Sequence, residues 1–462
     1  MTKHSYLIII ATSFLLAAVA AQEKPNVILI MVDDLGYNDL GCFGHPKIKT
    51  PVLDQLAKDG IKLTSFYSGA TVCTPSRMAL LTGAYPTRVG WKKGVVGFKM
   101  GLDEGMSPKV LTIAEIFKSE GYTTAISGKW HVGDPEPMRP HRQGFDSAYY
   151  INKSNNQTTK VWRGDELIEN PFKKGTLTEK FTGEAIRFIK ANKTKPFFLY
   201  LPYTAPHFSG HANKPPAPHP DWRNKSSFGA YGDVVEELDF RIGEVLKTVK
   251  AEGLDKNTIV VFLSDNGPQP GQEAQAKPYR GLKWSSMEGG TRVPCIIRWH
   301  GKIPAGRASD ELTAAMDLLP TLCEACGVDL KSKSTGSPKI DGVSVWNTLT
   351  GKGGEHARKD LLYWNGMGEW QAIRVGKWKL YPDRKAMFRG HGTSQPLPDE
   401  VKKKVLALRK GTGPLLFNLE GDAPELVDLS AKHPERVKEM MELAEKKLVD
   451  IKSNIILTER HK

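Results

Sequence analysis

Four phrases of the sequence place acids, bases and cations where apolar runs end. Asp33-Asp34 follow the run 26–32, and Asp265-Asn266 follow the run 258–263. Thr204-Ala205-Pro206-His207 follow 197–201, and Gly128-Lys129-Trp130-His131 follow the weaker run 123–126. Asp33, Asp34, Asp265 and Asn266 offer only hard oxygen ligands, which suit Ca2+, and less well Mg2+, far better than a softer metal. A single Asp after a strand is often a turn residue or helix cap. Adjacent buried carboxylates repel unless a cation neutralises them, so the set reads as a metal site. Lys129 and His131 are two apart and share a face in extended backbone, which makes them a clamp for an anion.

A fifth phrase, Cys73-Thr74-Pro75-Ser76-Arg77, opens a helix-compatible stretch that Gly83 stops. Pro75 suits the first turn. Cys73 then sits at a helix N-terminus, where free N–H groups and the dipole favour anions. Arg77 lies one turn along on the same side. The plain alternative is an ordinary thiol at a helix start; the sharper one is a nucleophile in an anion cradle.

The elements that must position these groups alternate between two periods. Continuous apolar runs suit strands buried on both faces of a parallel sheet. Helical patterns cover 51–59, 111–120, 178–191 and 234–252. Such alternation predicts an α/β domain with a mostly parallel sheet flanked by helices, in which ligands bind beyond the carboxyl ends of the strands. The domain is expected over 22–352. Short strand-like pieces at 361–364, 370–375, 378–381 and 415–419, and an amphipathic helix over 434–451, predict a smaller antiparallel C-terminal subdomain over 353–462. The stretch 210–227, rich in Pro, His and Asn, reads as a surface loop.

Lys3 and His4, an apolar run over 6–19 and the small residues 18–21 describe a secretory signal peptide over 1–21. The run is short for a bilayer span, so no stable membrane anchor is expected. Export to the periplasm or exterior, or to a lysosome in a eukaryote, follows. Five cysteines, an odd and sparse count, argue against a disulfide scaffold. Cys323 and Cys326 read as core cysteines of a helix or a local bridge. The 462 residues carry a net charge of +14, spread without a long basic run. Such a surface steers anionic substrates, and no nucleic-acid motif accompanies it. Sequons occur at Asn152, Asn156, Asn192 and Asn224. Lys92, Lys93, His211, Arg280, Trp284, Trp364 and Trp370 are candidates to line a pocket for an anionic sugar.

The phrase C-T-P-S-R followed by M-A-L-L-T-G over 73–83 resembles the signature of type I sulfatases, arylsulfatase-like members of the alkaline phosphatase superfamily. Further phrases match in order: 25–37, 128–133, 265–267, and 281–283 leading to 288–294. The resemblance implies that an enzyme of maturation, the formylglycine-generating enzyme, converts Cys73 to Cα-formylglycine. It implies that Asp33, Asp34, Asp265, Asn266 and residue 73 bind calcium. Arg77 and Lys129 would hold and polarise the aldehyde hydrate. Lys283 and His207 would contact sulfate and aid departure of the alcohol, and His131 would be the base that breaks the covalent intermediate. A sulfate-contacting serine is expected at Ser154, with Ser147 the alternative. The substrate class implied is a sulfate ester, and export with a basic surface favours a sulfated glycan. Two other readings remain: a phosphodiesterase or phosphonate hydrolase of the same superfamily, and a non-catalytic binder of sulfated polysaccharide.

Overall fold

A computed structural model gives the fold, with residues 24–208, 216–334, 337–393 and 395–456 described. The expected signal peptide over 1–21 and His211 lie outside the described residues.

The strand Asn26–Val32 is buried along its whole length and is central in a ten-stranded sheet. It pairs in parallel with Thr258–Ser264 on one side and Phe197–Pro202 on the other. Thr123–Lys129 and Ser147–Ile151 continue the parallel array. Antiparallel pairings flank this array: Cys295–Arg298 runs against Thr258–Ser264, and Val161–Arg163 against Ser147–Ile151, while the outermost strand on the first side, Arg307–Ser309, pairs in parallel with Ile61–Leu63. This is the mostly parallel α/β sheet expected from unbroken apolar runs.

Alternate side chains of the central strand feed two cores. Ile28, Ile30 and Val32 pack with residues of the helices Pro51–Lys58, Leu177–Ala191 and Gly229–Ala251. Val27, Leu29 and Met31 face the helices Cys73–Thr82, Ile113–Ser119 and Leu318–Ala325. That second core continues into an antiparallel sheet of Asp360–Trp364, Trp370–Val375, Trp378–Tyr381 and Leu415–Asn418, and onto the helix Pro434–Ser453. Packing of a half-apolar helix or sheet on a doubly buried sheet is what makes the layers adhere.

Register aligns the strand ends that matter. Val32 sits opposite Ser264, and Met31 opposite both Leu263 and Pro202. Asp33, Asp265 and the segment 203–207 therefore emerge along one edge of the sheet. The strand expected at 123–126 runs on to Lys129. Gly128 explains how: its φ is +148°, and a Cβ there would meet the Pro202 carbonyl oxygen at 2.0 Å. Only glycine allows that close approach to Pro202 while the strand continues, paired with Ser147–Ile151, to Lys129.

Cys323 lies in the helix Leu318–Ala325 and Cys326 follows it; both are buried free thiols, so the alternative of a local bridge is not realised. No helix among the described residues is long and apolar enough to cross a membrane.

Candidate active site

Cys73 begins the helix Cys73–Thr82, with Pro75 in its first turn and Gly83 closing it at φ +67°. The helix is buried throughout. Its start is tied down by Thr74, whose hydroxyl donates to the His131 carbonyl (2.7 Å) and accepts from the Val96 N–H (3.1 Å). One side chain thus fixes the helix start, the turn after Lys129 and the segment around Val96.

Around Cys73 stand three carboxylates and three cations, all buried. Lys129 Nζ bonds Asp33 Oδ2 at 2.5 Å. Lys283 Nζ bonds both oxygens of Asp34, at 2.6 and 2.8 Å, and lies 3.2 Å from the Cys73 sulfur. Arg77 clasps Asp265 Oδ2 through Nε (3.1 Å) and Nη2 (2.8 Å), and gives Nη1 to the Lys129 carbonyl at 2.8 Å. The Cys73 sulfur donates to Asp33 Oδ1 at 3.4 Å. Ligand atoms of Asp33, Asp34, Cys73 and His207 all lie within 4.8 Å of one another.

Burial and mutual charge set the ionisation of these groups. Burial raises the Asp33 pKa, but Lys129, His207, Arg77 and Lys283 together hold it well below the carboxylate range. Burial and the neighbouring Asp33 push Asp265 up to about 7, against the pull of Arg77. Burial, then Asp33, pushes the Cys73 thiol up to about 12. That thiol stays protonated at neutral pH, and the thiolate is the nucleophilic form.

The donor set fits a hard cation. Asn266 gives its amide N–H to Asp34 Oδ1 (2.7 Å) and the Gly267 carbonyl (2.8 Å). Its Oδ1 is buried without a hydrogen-bond partner among the described residues. A buried acceptor left unpaired costs about 1–3 kcal/mol, and a cation at the adjacent carboxylates would satisfy it.

The two histidines differ in their free nitrogens. His131 Nε2 lies 3.1 Å from the Val96 carbonyl, which can only accept, so Nε2 carries the proton. Nδ1 is then a buried lone pair with no partner among the described residues. Burial, Lys129 and Arg77 hold the His131 pKa well below its ordinary value, so the ring is neutral and its free lone pair is at Nδ1. In His207 the order is reversed: Nδ1 donates to the Phe208 carbonyl at 2.8 Å, and Nε2 faces Asp34 at 3.6 Å. Burial brings its pKa down to about 4 against the pull of Asp33 and Asp34.

The structure therefore gathers Asp33, Asp34, Cys73, Arg77, Lys129, His131, His207, Asp265, Asn266 and Lys283 into one buried cluster. Ser154 is buried at its margin, and its neighbour Asn155 donates to the His207 carbonyl at 3.4 Å. One premise fails: Lys129 and His131 do not share a face of extended chain. The strand ends at Lys129, and His131 takes φ +59°, which redirects its ring toward Val96. Of the candidate sugar-binding residues, Trp284 packs beside Cys73 and Val72. Arg280 instead donates to the Pro424 and Glu425 carbonyls, and Trp364 is buried against Tyr85. Thr74 and Val96, which orient His131, went unread because nothing in their spacing tells that the chain returns there.

The arrangement suits attack on an anionic ester: three cations and a carboxylate cluster able to hold a metal ion would offset charge, and a bare imidazole nitrogen stands by. Comparison with known proteins agrees. Residues 25–328 match the family model "Sulfatase". Human arylsulfatase A is 32% identical over 90% of this chain and 85% of its own. The N-acetylgalactosamine-6-O-sulfatase of Bacteroides thetaiotaomicron is 29% identical over 92% of this chain and 93% of its own. Among solved structures, Ps i-CgsB in complex with k-i-k-neocarrahexaose superposes with a TM-score of 0.75 at 28% identity, covering 95% of each chain. The chain belongs to the sulfatase family of the alkaline phosphatase superfamily and is a sulfuric ester hydrolase.

Proposed function

We propose that the protein is an exported sulfatase that removes sulfate from a sulfated carbohydrate, using a formylglycine made from Cys73 and one bound calcium ion. The observation that carries this reading is Cys73 itself. Its thiol is sealed between Asp33 and Lys283 and pushed up to about 12 by burial and Asp33, so it is a poor nucleophile as encoded. Yet Asp33, Asp34, His207 and Lys283 all stand close to its sulfur. A residue so placed makes sense as a precursor. Sugars named in relatives, N-acetylgalactosamine and a neocarrahexaose, support a carbohydrate substrate.

Asp33, Asp34, Asp265, Asn266 and residue 73 would hold calcium, whose positive charge would offset that of the sulfate oxygens. The aldehyde at residue 73, once hydrated, supplies one hydroxyl to attack sulfur and a second through which sulfate is later released. The chain's own residues do the rest. Arg77 and Lys129 orient the nucleophile, Lys129 and Lys283 hold sulfate oxygens, and Ser154 adds a hydrogen bond at the margin. His207 gives a proton to the departing alcohol; the sulfate anion beside it favours the protonated ring that burial opposes. His131 takes a proton at Nδ1 in the release step. Residues 1–21 would be removed on export, and the C-terminal subdomain expected over 353–462 would brace the Lys283 segment through its described residues.

The test is mass spectrometry of the peptide containing residue 73, from protein made with the maturation enzyme, alongside turnover of an aryl sulfate and an aryl phosphate. Aldehyde at 73, preference for sulfate and loss of activity on calcium chelation, restored by calcium, are expected. An unmodified thiol in fully active protein, or a clear preference for phosphate, overturns the proposal.

A further inference from the structure

A second recess opens beside the cluster. It has a volume of about 930 Å3 and is lined by residues of the loop after Trp130 and of the segment 152–174. A smaller cavity joins the two regions: Asn155, Phe172 and Lys174 line both it and the recess, and His207 lines it from the other side. The turn that carries Ser154 also shapes the recess. Gln157 accepts from the Ser154 N–H, and the Gln157 and Thr158 N–H groups donate to the Ser154 carbonyl.

The lining has a definite chemistry. Four cations, Arg139, Lys153, Lys160 and Lys174, line it with one carboxylate, Asp134, and Arg139 is paired with Asp165 at 3.0 Å just outside. Lys153 pairs with Asp134 at 3.1 Å, and Asn152 donates to it as well. Lys160 and Lys174 are exposed and have no carboxylate partner among the described residues. Trp162 provides a half-buried indole, with the Arg139 guanidinium 4.8 Å from its ring centre. Asn152 Oδ1, Asn155 Oδ1 and Trp162 Nε1 are buried without a hydrogen-bond partner among the described residues. Buried amide and indole groups ordinarily find partners, so three unpaired ones on one wall call for a polar ligand. An indole, several amides and an excess of cations suit a sugar ring carrying negative charge.

We infer that this recess binds a neighbouring, negatively charged sugar of the same carbohydrate chain, so that the enzyme acts on a sulfated oligosaccharide rather than on a monosaccharide. The inference rests on the proposed function and deepens it. Long-range charge explains the lysines: two unpaired ammonium groups at the rim draw in a polyanion and weaken with salt.

The test uses the double variant Lys160→Glu with Lys174→Glu, both exposed and so tolerant of change, and Trp162→Ala separately. Substrates are 4-nitrophenyl sulfate and tetrasaccharides from heparin, chondroitin sulfate and carrageenan. For the preferred tetrasaccharide, the ratio of its kcat/KM to that for 4-nitrophenyl sulfate should fall at least about tenfold in the double variant. Calorimetric affinity of Cys73→Ala protein for that tetrasaccharide should weaken by a similar factor when the two charge reversals are added. An unmoved ratio with unmoved affinity overturns the inference, as does failure of all three tetrasaccharides to bind. Absence of turnover of any sulfate ester, with binding that still depends on Lys160 and Lys174, sinks the proposed activity and leaves the recess standing.

Discussion

Two buried ionic clusters lie close together in this molecule and differ in one respect. The first surrounds Cys73. The second joins the segment 280–292 to the C-terminal sheet: Lys379 pairs with Glu288 at 2.8 Å and Glu425 at 3.1 Å, and Arg292 reaches Glu288 at 3.3 Å. Arg280 bonds the Glu425 carbonyl at 2.9 Å, Arg374 bonds the Ser65 hydroxyl at 2.9 Å, and the Tyr381 hydroxyl donates to Glu425 at 2.6 Å. In both clusters the charged side chains are paired, and the buried atoms left over differ: in the second they are hydroxyls, Ser286 Oγ and Tyr363 Oη, whereas in the first they are a carbonyl-type oxygen, Asn266 Oδ1, and an imidazole lone pair, His131 Nδ1, without partners among the described residues. Buried charge alone therefore does not mark a catalytic site, since both clusters have it. Unspent ligand and proton-accepting capacity at a shared sheet edge does mark one.

The second cluster has a task that serves the first. Lys379 and Tyr381 bond the Ser286 carbonyl, and Glu425 takes the Glu288 N–H, so the C-terminal sheet grips the chain three residues beyond Lys283. The Leu282 N–H is tied to the Gly392 carbonyl in the same way. Lys283 then extends from a fixed backbone toward Asp34 and Cys73.

The comparison breaks most sharply at Cys73. Cys73→Ala should lower kcat for an aryl sulfate at least about a thousandfold, as loss of a covalent nucleophile does. Its thermal midpoint should stay within a few degrees of the parent. Retention of more than a tenth of the activity would place the chemistry elsewhere. His131→Asn comes next, with kcat down about a hundredfold or more as for removal of a general base. If His131 acts only in release of sulfate, the first turnover should survive as a burst. A variant with no burst and unchanged steady-state rate would contradict the role given to Nδ1.

How far the sequence reveals this difference depends on the residue. The parallel sheet could be read because runs such as Val27 to Val32 are apolar on both faces, and only a doubly covered sheet requires that. Much of the Cys73 cluster could be read because Asp33, Asp34, Lys129, His207, Asp265 and Asn266 stand at or just beyond the ends of such runs and strand ends converge, whereas Cys73 and Arg77 showed as a helix start and Lys283 only through the family resemblance. The second cluster could not: Glu288, Lys379 and Glu425 come from distant segments, and each alone resembles an ordinary surface charge. Thr74, Val96 and the φ of His131 were hidden for the same reason, since they depend on which segments meet. The recess around Trp162 was missed because its lysines and amides have no period or spacing that distinguishes them from loop residues.

Lys379→Met tests the structural side. It leaves Glu288 and Glu425 buried together without their shared ammonium, and breaking such a pair costs about 3–5 kcal/mol. Chemical denaturation at pH 7 should show a loss of that order. KM and kcat per folded molecule should change by less than the substitutions at Cys73 and His131 change kcat. A variant as stable as the parent would show that the second cluster contributes little to folding.

The smallest effect concerns pH. Burial raises the Glu288 pKa, but Lys379, Arg292 and Arg374 outweigh it and bring the group down to about 2 from an ordinary 4.5. A carboxylate depressed by folding contributes stability that is present above its unfolded pKa and is lost as pH falls through its folded one. The parent should therefore lose part of its stability as pH falls from about 4.5 to about 2. In Lys379→Met the largest charge holding Glu288 down is gone, its folded pKa rises toward the ordinary value, and this share of the acid dependence should shrink. Denaturation midpoints of both proteins across that window give the difference directly. Parallel pH profiles would mean that Arg292 and Arg374 suffice to hold Glu288 ionised, and the grip on the Lys283 segment would then rest on hydrogen bonds to Ser286 rather than on the buried ion pair.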